Sequence, residues 1–141
     1  MDEIRSHLLI RYDGSTQLRD WVSCMVRPIT DHVATLPTPS WYARFAAQLM
    51  TDPALRVLII DDARDSPTMR QAADGLNRCL PDLPDQVRTD RDDMVRILVV
   101  HMCAQKEREL ADGMTGAGWE ATTTRLVDAV VGMLLAPVTQ R

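Results

Sequence analysis

Apolar residues recur along this chain at intervals of three and four positions, the spacing that gathers them on one face of an α-helix. The pattern predicts a short helix over residues 2–12 and a second helix from Ser15 to about Leu36. Pro28 lies inside the second helix, where a proline removes one backbone hydrogen bond, so we expect a bend there. Thr38 followed by Pro39 has the form of a helix cap with a first-turn proline, and a third helix is expected to start at this point.

Two further pairs of a capping residue and a proline divide the middle of the chain. Asp52-Pro53 predicts a fourth helix whose last four residues, 57–60, form a buried helical turn rather than a strand. The charged residues 61–65 are expected to form a loop. Ser66-Pro67 predicts a fifth helix, which is ended by Pro81.

The last third of the chain predicts two long helices, over about 85–112 and 119–136. The segment ILVVHMCA at 97–104 is apolar on nearly every side, which is typical of a helix that is covered on every side. A neighbour from outside the chain is therefore expected to cover one side of it. Six or seven helices and no convincing strand make the predicted fold all-α, with residues 1–141 in a single domain.

The charge balance argues against direct contact with nucleic acid. The chain has 16 basic and 20 acidic residues, a formal net charge of −4, and no run of Lys or Arg, whereas a nucleic-acid-binding domain usually carries a basic face. No apolar stretch approaches the length of a membrane span, and the N-terminus lacks a signal-peptide core. Three cysteines without C-x-x-C spacing fit a reducing compartment, so a cytoplasmic location is expected.

Four segments resemble the C-terminal regulatory half of TetR-family transcriptional repressors. They are WVSCMVRPITDHV at 21–33, PSWYARFAAQLMTDPALR at 39–56, LPDLP at 80–84 and RLVDAVVGMLLAPV at 125–138. The resemblance implies a bundle of six or seven helices that encloses a small effector and pairs with a second copy through its last two helices. It also implies that the helix-turn-helix head that reads DNA in this family is not part of this chain, so the chain is either a piece of a repressor or a stand-alone relative.

A cavity is expected where the bent second helix meets the aromatic third helix. Small-molecule sites combine mostly apolar walls with a few polar groups, and both occur here at helical spacing. Eight Met residues favour an adaptable interior. The residues predicted to line a site for a small, largely apolar, natural-product-like ligand are Trp21, Met25, His32, Trp41, Phe45, Gln48, Met94 and His101.

Apolar stripes on the last two helices predict the surface that pairs two copies. Two such helices from each partner would form a four-helix bundle, which gives an interface of standard size if it buries about 1,600 Å². The predicted interface residues are Val95, Leu98, Met102, Trp119, Leu126, Val130 and Leu134.

An enzyme is the alternative interpretation. A pocket can orient a bound biosynthetic intermediate for cyclisation or rearrangement, with His32 or His101 as acid or base and without a cofactor. No histidine pairing has metal-ligand spacing, and no phosphate loop or nucleophile motif is present, so neither a metal nor a cofactor is expected. A third possibility is a partner that sequesters full-length repressors in heterodimers.

Overall fold

In a computed structural model of the chain, residues 1–114, 116 and 118–139 are described, and in this part of the chain helices are joined by turns and loops, without a strand. The all-α prediction is thereby confirmed. None of the helices in these segments is long and apolar enough to cross a membrane. The seven helices of the described residues are α1 Asp2–Arg11, α2 Leu18–Ala34, α3 Tyr42–Leu49, α4 Pro53–Asp65, α5 Pro67–Arg78, α6 Asp85–Ala111 and α7 Trp119–Leu135.

Two helix starts follow the predicted capping pairs. The Asp52 carboxylate accepts hydrogen bonds from the first backbone N–H groups of α4, and the Ser66 hydroxyl does the same for α5. Helix α4 continues through residues 61–65, so the predicted loop is wrong. Its apolar run at 57–60 is not buried either, because α4 packs mainly on α5 and has no fully buried residue.

Helix α3 begins three residues later than predicted, at Tyr42 rather than Pro39. Its start is stabilised from outside the helix: the buried carboxylate of Glu107, on α6, accepts the backbone N–H of Arg44 (2.8 Å) and the hydroxyl of Ser40 (2.6 Å). A carboxylate in this position satisfies donors that the helix itself leaves unpaired. Helix α3 therefore lies on α6.

Helix α2 is the central element, with α1, α5 and α7 packed around it. It runs antiparallel to α7, as two ion pairs show: Arg19 contacts Asp128 (2.6 Å) and Arg27 contacts Glu120 (2.6 Å). Helices α6 and α7 are also antiparallel. Arg91, near the start of α6, donates to the backbone oxygens of residues 134 and 136 at the end of α7 (2.9 and 2.6 Å), where a cation and its N–H groups are favourable.

Pro28 leaves one carbonyl of α2 without its usual partner, since proline has no N–H to donate to the residue four positions earlier. That carbonyl belongs to Cys24, and the Nε of the buried Arg5, on α1, donates to it (3.3 Å). The same guanidinium contacts Asp2 (2.8 Å). Burial lowers the pKa of Arg5, with Asp2 opposing the shift. The carbonyl that Pro28 leaves free is thus satisfied by a side chain of α1.

Replacing Arg5 by methionine is expected to destabilise the fold by about 2 kcal/mol, because a buried carbonyl loses its donor. In a Pro28→Ala background the cost should fall by about 1 kcal/mol, because residue 28 then supplies the missing N–H. Urea unfolding of the four proteins of this double-mutant cycle measures the coupling. Arg11→Met, which changes an exposed arginine of the same helix, is the control. Equal costs of Arg5→Met in both backgrounds would show that the Cys24 carbonyl is not the reason for the buried arginine.

Candidate functional site

A cavity of about 400 Å³ lies between α2, α4, α5, α6 and α7. This volume is within the range of small-molecule sites. Apolar side chains of all five helices form its interior. These side chains include Met25, Ile29, Ile60, Met69, Leu76, Val95, Val99, Val130 and Leu134, and the last two together with Leu76 and Val99 belong to the buried core.

The charged side chains that line the cavity are exposed or half-buried and therefore mark its mouth. Arg64 of α4, Arg70 of α5 and Asp92, Asp93 and Arg96 of α6 line it. Arg96 forms an ion pair with Asp93 (2.7 Å). Partial burial raises the pKa of Asp92. The arginines one turn to either side of it on α6 oppose this shift. The cavity therefore combines an apolar interior with a polar rim.

Of the predicted ligand residues on α2, only Met25 lines this cavity. Trp21 is buried in the core, where its indole N–H donates to the backbone oxygen of Ser15 (3.0 Å) and its ring lies against Gly75. His32 makes an edge-to-face contact with the ring of Tyr42, at 4.8 Å between centroids. These residues face different neighbours because α2 is surrounded by other helices on several sides.

The predicted ligand residues on α3 and at its N-cap, Trp41, do not reach the cavity. Trp41 and Phe45 are each 64% exposed, and Gln48 is exposed as well. The Arg44 guanidinium lies over the Trp41 ring, 3.5 Å from its centroid, which is a favourable cation–π contact. Helix α3 packs on α6 on the side of Glu107, so its aromatic residues lie outside the cavity.

Met94 and His101 on α6 are also exposed and lie away from the cavity lining. Neither histidine named as an acid or base candidate therefore has a place in this cavity. In the described segments, no group of three His, Cys, Asp or Glu side chains is arranged to hold a metal ion.

Sequence reasoning missed most of the cavity wall. Helix α5 contributes Met69, Ala73, Leu76 and Asn77, and its recurrence of apolar residues at 69, 72, 73 and 76 was the signal that could have found it. The periodicity of α5 identifies a face that must be covered. It does not distinguish a face covered by protein atoms from one that borders an empty volume.

A second feature is a groove of about 370 Å³ between α6 and α7. Leu98 and Met102 line it from α6, and Thr122, Arg125 and Ala129 line it from α7. Next to the groove, α6 carries a row of largely apolar side chains at helical spacing that face away from the core, called here the outward stripe of α6. The members of this stripe, all exposed or half-buried, are Met94, Ile97, Leu98, His101 and Met102.

The structure places the predicted interface residues in different surroundings. Leu98 and Met102 face the groove, whereas Val95 lines the cavity and Trp119 is half-buried against the core. The other three are buried within the subunit itself, because α7 packs its main apolar face on α2. These are Val130, Leu134 and Leu126, of which Leu126 also lines the groove.

Comparison with curated proteins and with solved structures gave no significant match. A family model does match: that of the tetracyclin repressor-like C-terminal domain, over residues 23–135 of the 141-residue chain. The matched range includes all of α3–α7 and most of α2, and so every helix that lines the cavity. The chain belongs to the TetR-like C-terminal domain family.

Proposed function

We propose that this chain is a ligand-binding and dimerisation domain, and that the cavity between α2, α4, α5, α6 and α7 holds a small, largely apolar, natural-product-like molecule. The observation that carries the proposal is the cavity itself, because its volume, apolar interior and polar rim are those of a small-molecule site. The net charge of −4 supports a role in which residues 1–141, acting as one domain, do not contact nucleic acid themselves.

The same helices would connect the cavity to a second subunit. Val99 and Val130 face the cavity, and their sequence neighbours Leu98 and Ala129 face the groove, so the same two helices, α6 and α7, border both features. A ligand that displaces either helix therefore changes the shape of the groove. Such a displacement is what a regulatory domain needs if ligand binding is to alter the arrangement of two subunits.

The outward stripe of α6 and the adjoining face of α7 form the proposed dimer surface. The stripe is largely apolar, and Ile97 at its centre is 52% exposed. On α7, Ala129 is small and exposed, so a partner helix can approach closely. A second copy that inserts its α6 stripe into the groove would cover this surface and pair the last two helices of each subunit in a four-helix bundle.

Binding of the neutral fluorophore N-phenylnaphthylamine tests the cavity. Its emission rises in an apolar environment, so a fluorescence titration reports occupancy. Ala73→Phe, which places a ring inside the cavity, is expected to weaken binding about tenfold or more, because the ring occupies the volume that the probe needs. Ala54→Phe adds the same side chain at an exposed position of α4 and should leave the affinity unchanged.

Phe45→Ala distinguishes this cavity from the aromatic site that the sequence predicted. Phe45 lies outside the cavity, so its loss should leave N-phenylnaphthylamine binding unchanged. Weaker binding in Phe45→Ala together with unaltered binding in Ala73→Phe would contradict the proposal, as would the absence of any binding to the unmodified protein.

Ile97→Glu is expected to weaken the dimer by about tenfold or more, because it places a charge at the centre of an apolar contact. Ile10→Glu is the matched control, because Ile10 is 75% exposed on α1, a helix that does not line the groove between α6 and α7. Light scattering over a concentration series measures the dissociation constant. A protein that stays monomeric at micromolar concentration, or a dimer that survives Ile97→Glu, would reject this surface.

A further inference from the structure

At the mouth of the cavity, the acidic side chains have oppositely charged neighbours, whereas two of the arginines do not form ion pairs with other described residues. On α6, Asp93 pairs with Arg96, and Asp92 lies one turn from both Arg88 and Arg96. The two carboxylates of this wall therefore have cations of their own helix beside them. They are poor candidates for attracting a positively charged ligand.

The arginines on the two facing helices are Arg64 and Arg70. Among the ion pairs of the described residues none includes either of them. The contact of Arg70 is a weak one, a 3.4 Å hydrogen bond to the backbone oxygen of Asp65. Both side chains line the cavity, and they come from two different helices, α4 and α5. Two guanidinium groups that form no ion pair with another described residue thus border one opening.

We propose that the occupant of this cavity carries a single anionic head group, such as a carboxylate, on an apolar body, with the head group bound at the mouth by Arg64 and Arg70. This inference rests on the proposed function, since it names the ligand class for the same site. The apolar interior offers no counter-charge, so an anion is stable only at the rim. A guanidinium suits this task because its planar set of N–H groups matches the two oxygens of a carboxylate.

Three probes with one alkyl chain and different head groups test the charge: decanoate, decanol and decylamine. Their affinities are measured by displacement of N-phenylnaphthylamine. Decanoate is expected to bind about tenfold more tightly than decanol, and decylamine more weakly than decanol. The double variant Arg64→Gln/Arg70→Gln should remove the advantage of decanoate and leave decanol unchanged. Arg56→Gln, on the same α4 but outside the cavity lining, is the control and should change nothing.

The outcomes separate this inference from the function on which it rests. If decanol binds as tightly as decanoate, and both compete with the fluorophore, the cavity holds apolar ligands but the charge assignment is overturned. If decylamine binds most tightly and Asp92→Asn abolishes that preference, the carboxylates of α6 select the ligand and the assignment is likewise overturned. If none of the three displaces a bound fluorophore, the charge inference fails; if the fluorophore itself does not bind, the proposed function fails with it.

Discussion

Gly75→Ala is expected to destabilise the protein by about 3 kcal/mol, one of the largest effects of any small substitution in this chain. A Cβ built on Gly75 of α5 would lie 2.2 Å from Cε3 of Trp21, much closer than two carbon atoms can approach. Trp21 cannot move aside, because it is only 2% exposed and its indole N–H is bound to the backbone oxygen of Ser15. Helices α2 and α5 must therefore separate, and core contacts are lost on both.

Gly132→Ala is the matched control, since nothing lies within 4 Å of a Cβ at this exposed position of α7. Alanine favours the helix over glycine, so this variant should be as stable as the unmodified protein or more stable by about 0.5–1 kcal/mol. Urea unfolding of both variants at equal protein concentration measures the difference. Equal stability of Gly75→Ala and Gly132→Ala would show that α2 and α5 are not in the close contact described above.

Glu107→Gln is expected to cost about 3 kcal/mol, because it removes the charge from a buried ion pair while its partner stays buried. The Glu107 carboxylate is buried and accepts hydrogen bonds from Ser40 and from the backbone of Arg44. It is also 3.9 Å from Nε of the Arg44 side chain, an atom that is buried and has no hydrogen bond of its own. Without the negative charge, the Arg44 guanidinium has no anion beside it, and the N–H groups at the start of α3 lose a charged acceptor.

Glu120→Gln gives the comparison with an exposed ion pair. Two oxygens of Glu120 accept from Arg27 (2.6 and 3.1 Å), and this contact lowers the pKa of Glu120, yet its side chain is 72% exposed. Exposed pairs contribute about 0–1 kcal/mol, so this change should be small. Thermal or urea unfolding measures stability, and hydrogen exchange of α3 localises the effect of Glu107→Gln. Similar small costs for both variants would mean that Glu107 does not hold α3.

Much of this fold was predictable from the sequence, because the signals that start and stop helices act locally. Asp52 and Ser66 cap α4 and α5 as their side chains and following prolines indicate. The prediction was wrong where a distant residue decides the outcome. Helix α3 starts at Tyr42, where Glu107 of α6 accepts the backbone N–H of Arg44. The sequence around residue 40 does not indicate that contact, because Glu107 is more than sixty residues away along the chain.

The candidate cavity was less predictable, for a physical reason. Periodicity identifies the apolar face of each helix but not the helix that will cover it. The aromatic residues Trp41 and Phe45 suggested a ligand wall, although α3 turns them outward when it packs on α6. Likewise, Val130 was expected at an interface between subunits, yet α7 uses that face to pack on α2. Which neighbour a face meets depends on the three-dimensional arrangement of all the helices.

The isoleucine methyl groups provide the most direct test of the central claim, that ligands bind between α2, α4, α5, α6 and α7. Ile29 and Ile60 line this cavity, whereas Ile97 is on the outward stripe of α6 and Ile10 is exposed on α1. In NMR spectra of methyl-labelled protein with N-phenylnaphthylamine, nuclear Overhauser effects from the probe should reach the methyl groups of Ile29 and Ile60 and not those of Ile10. Contacts confined to Ile97 or Ile10, with Ile29 and Ile60 silent, would contradict the account.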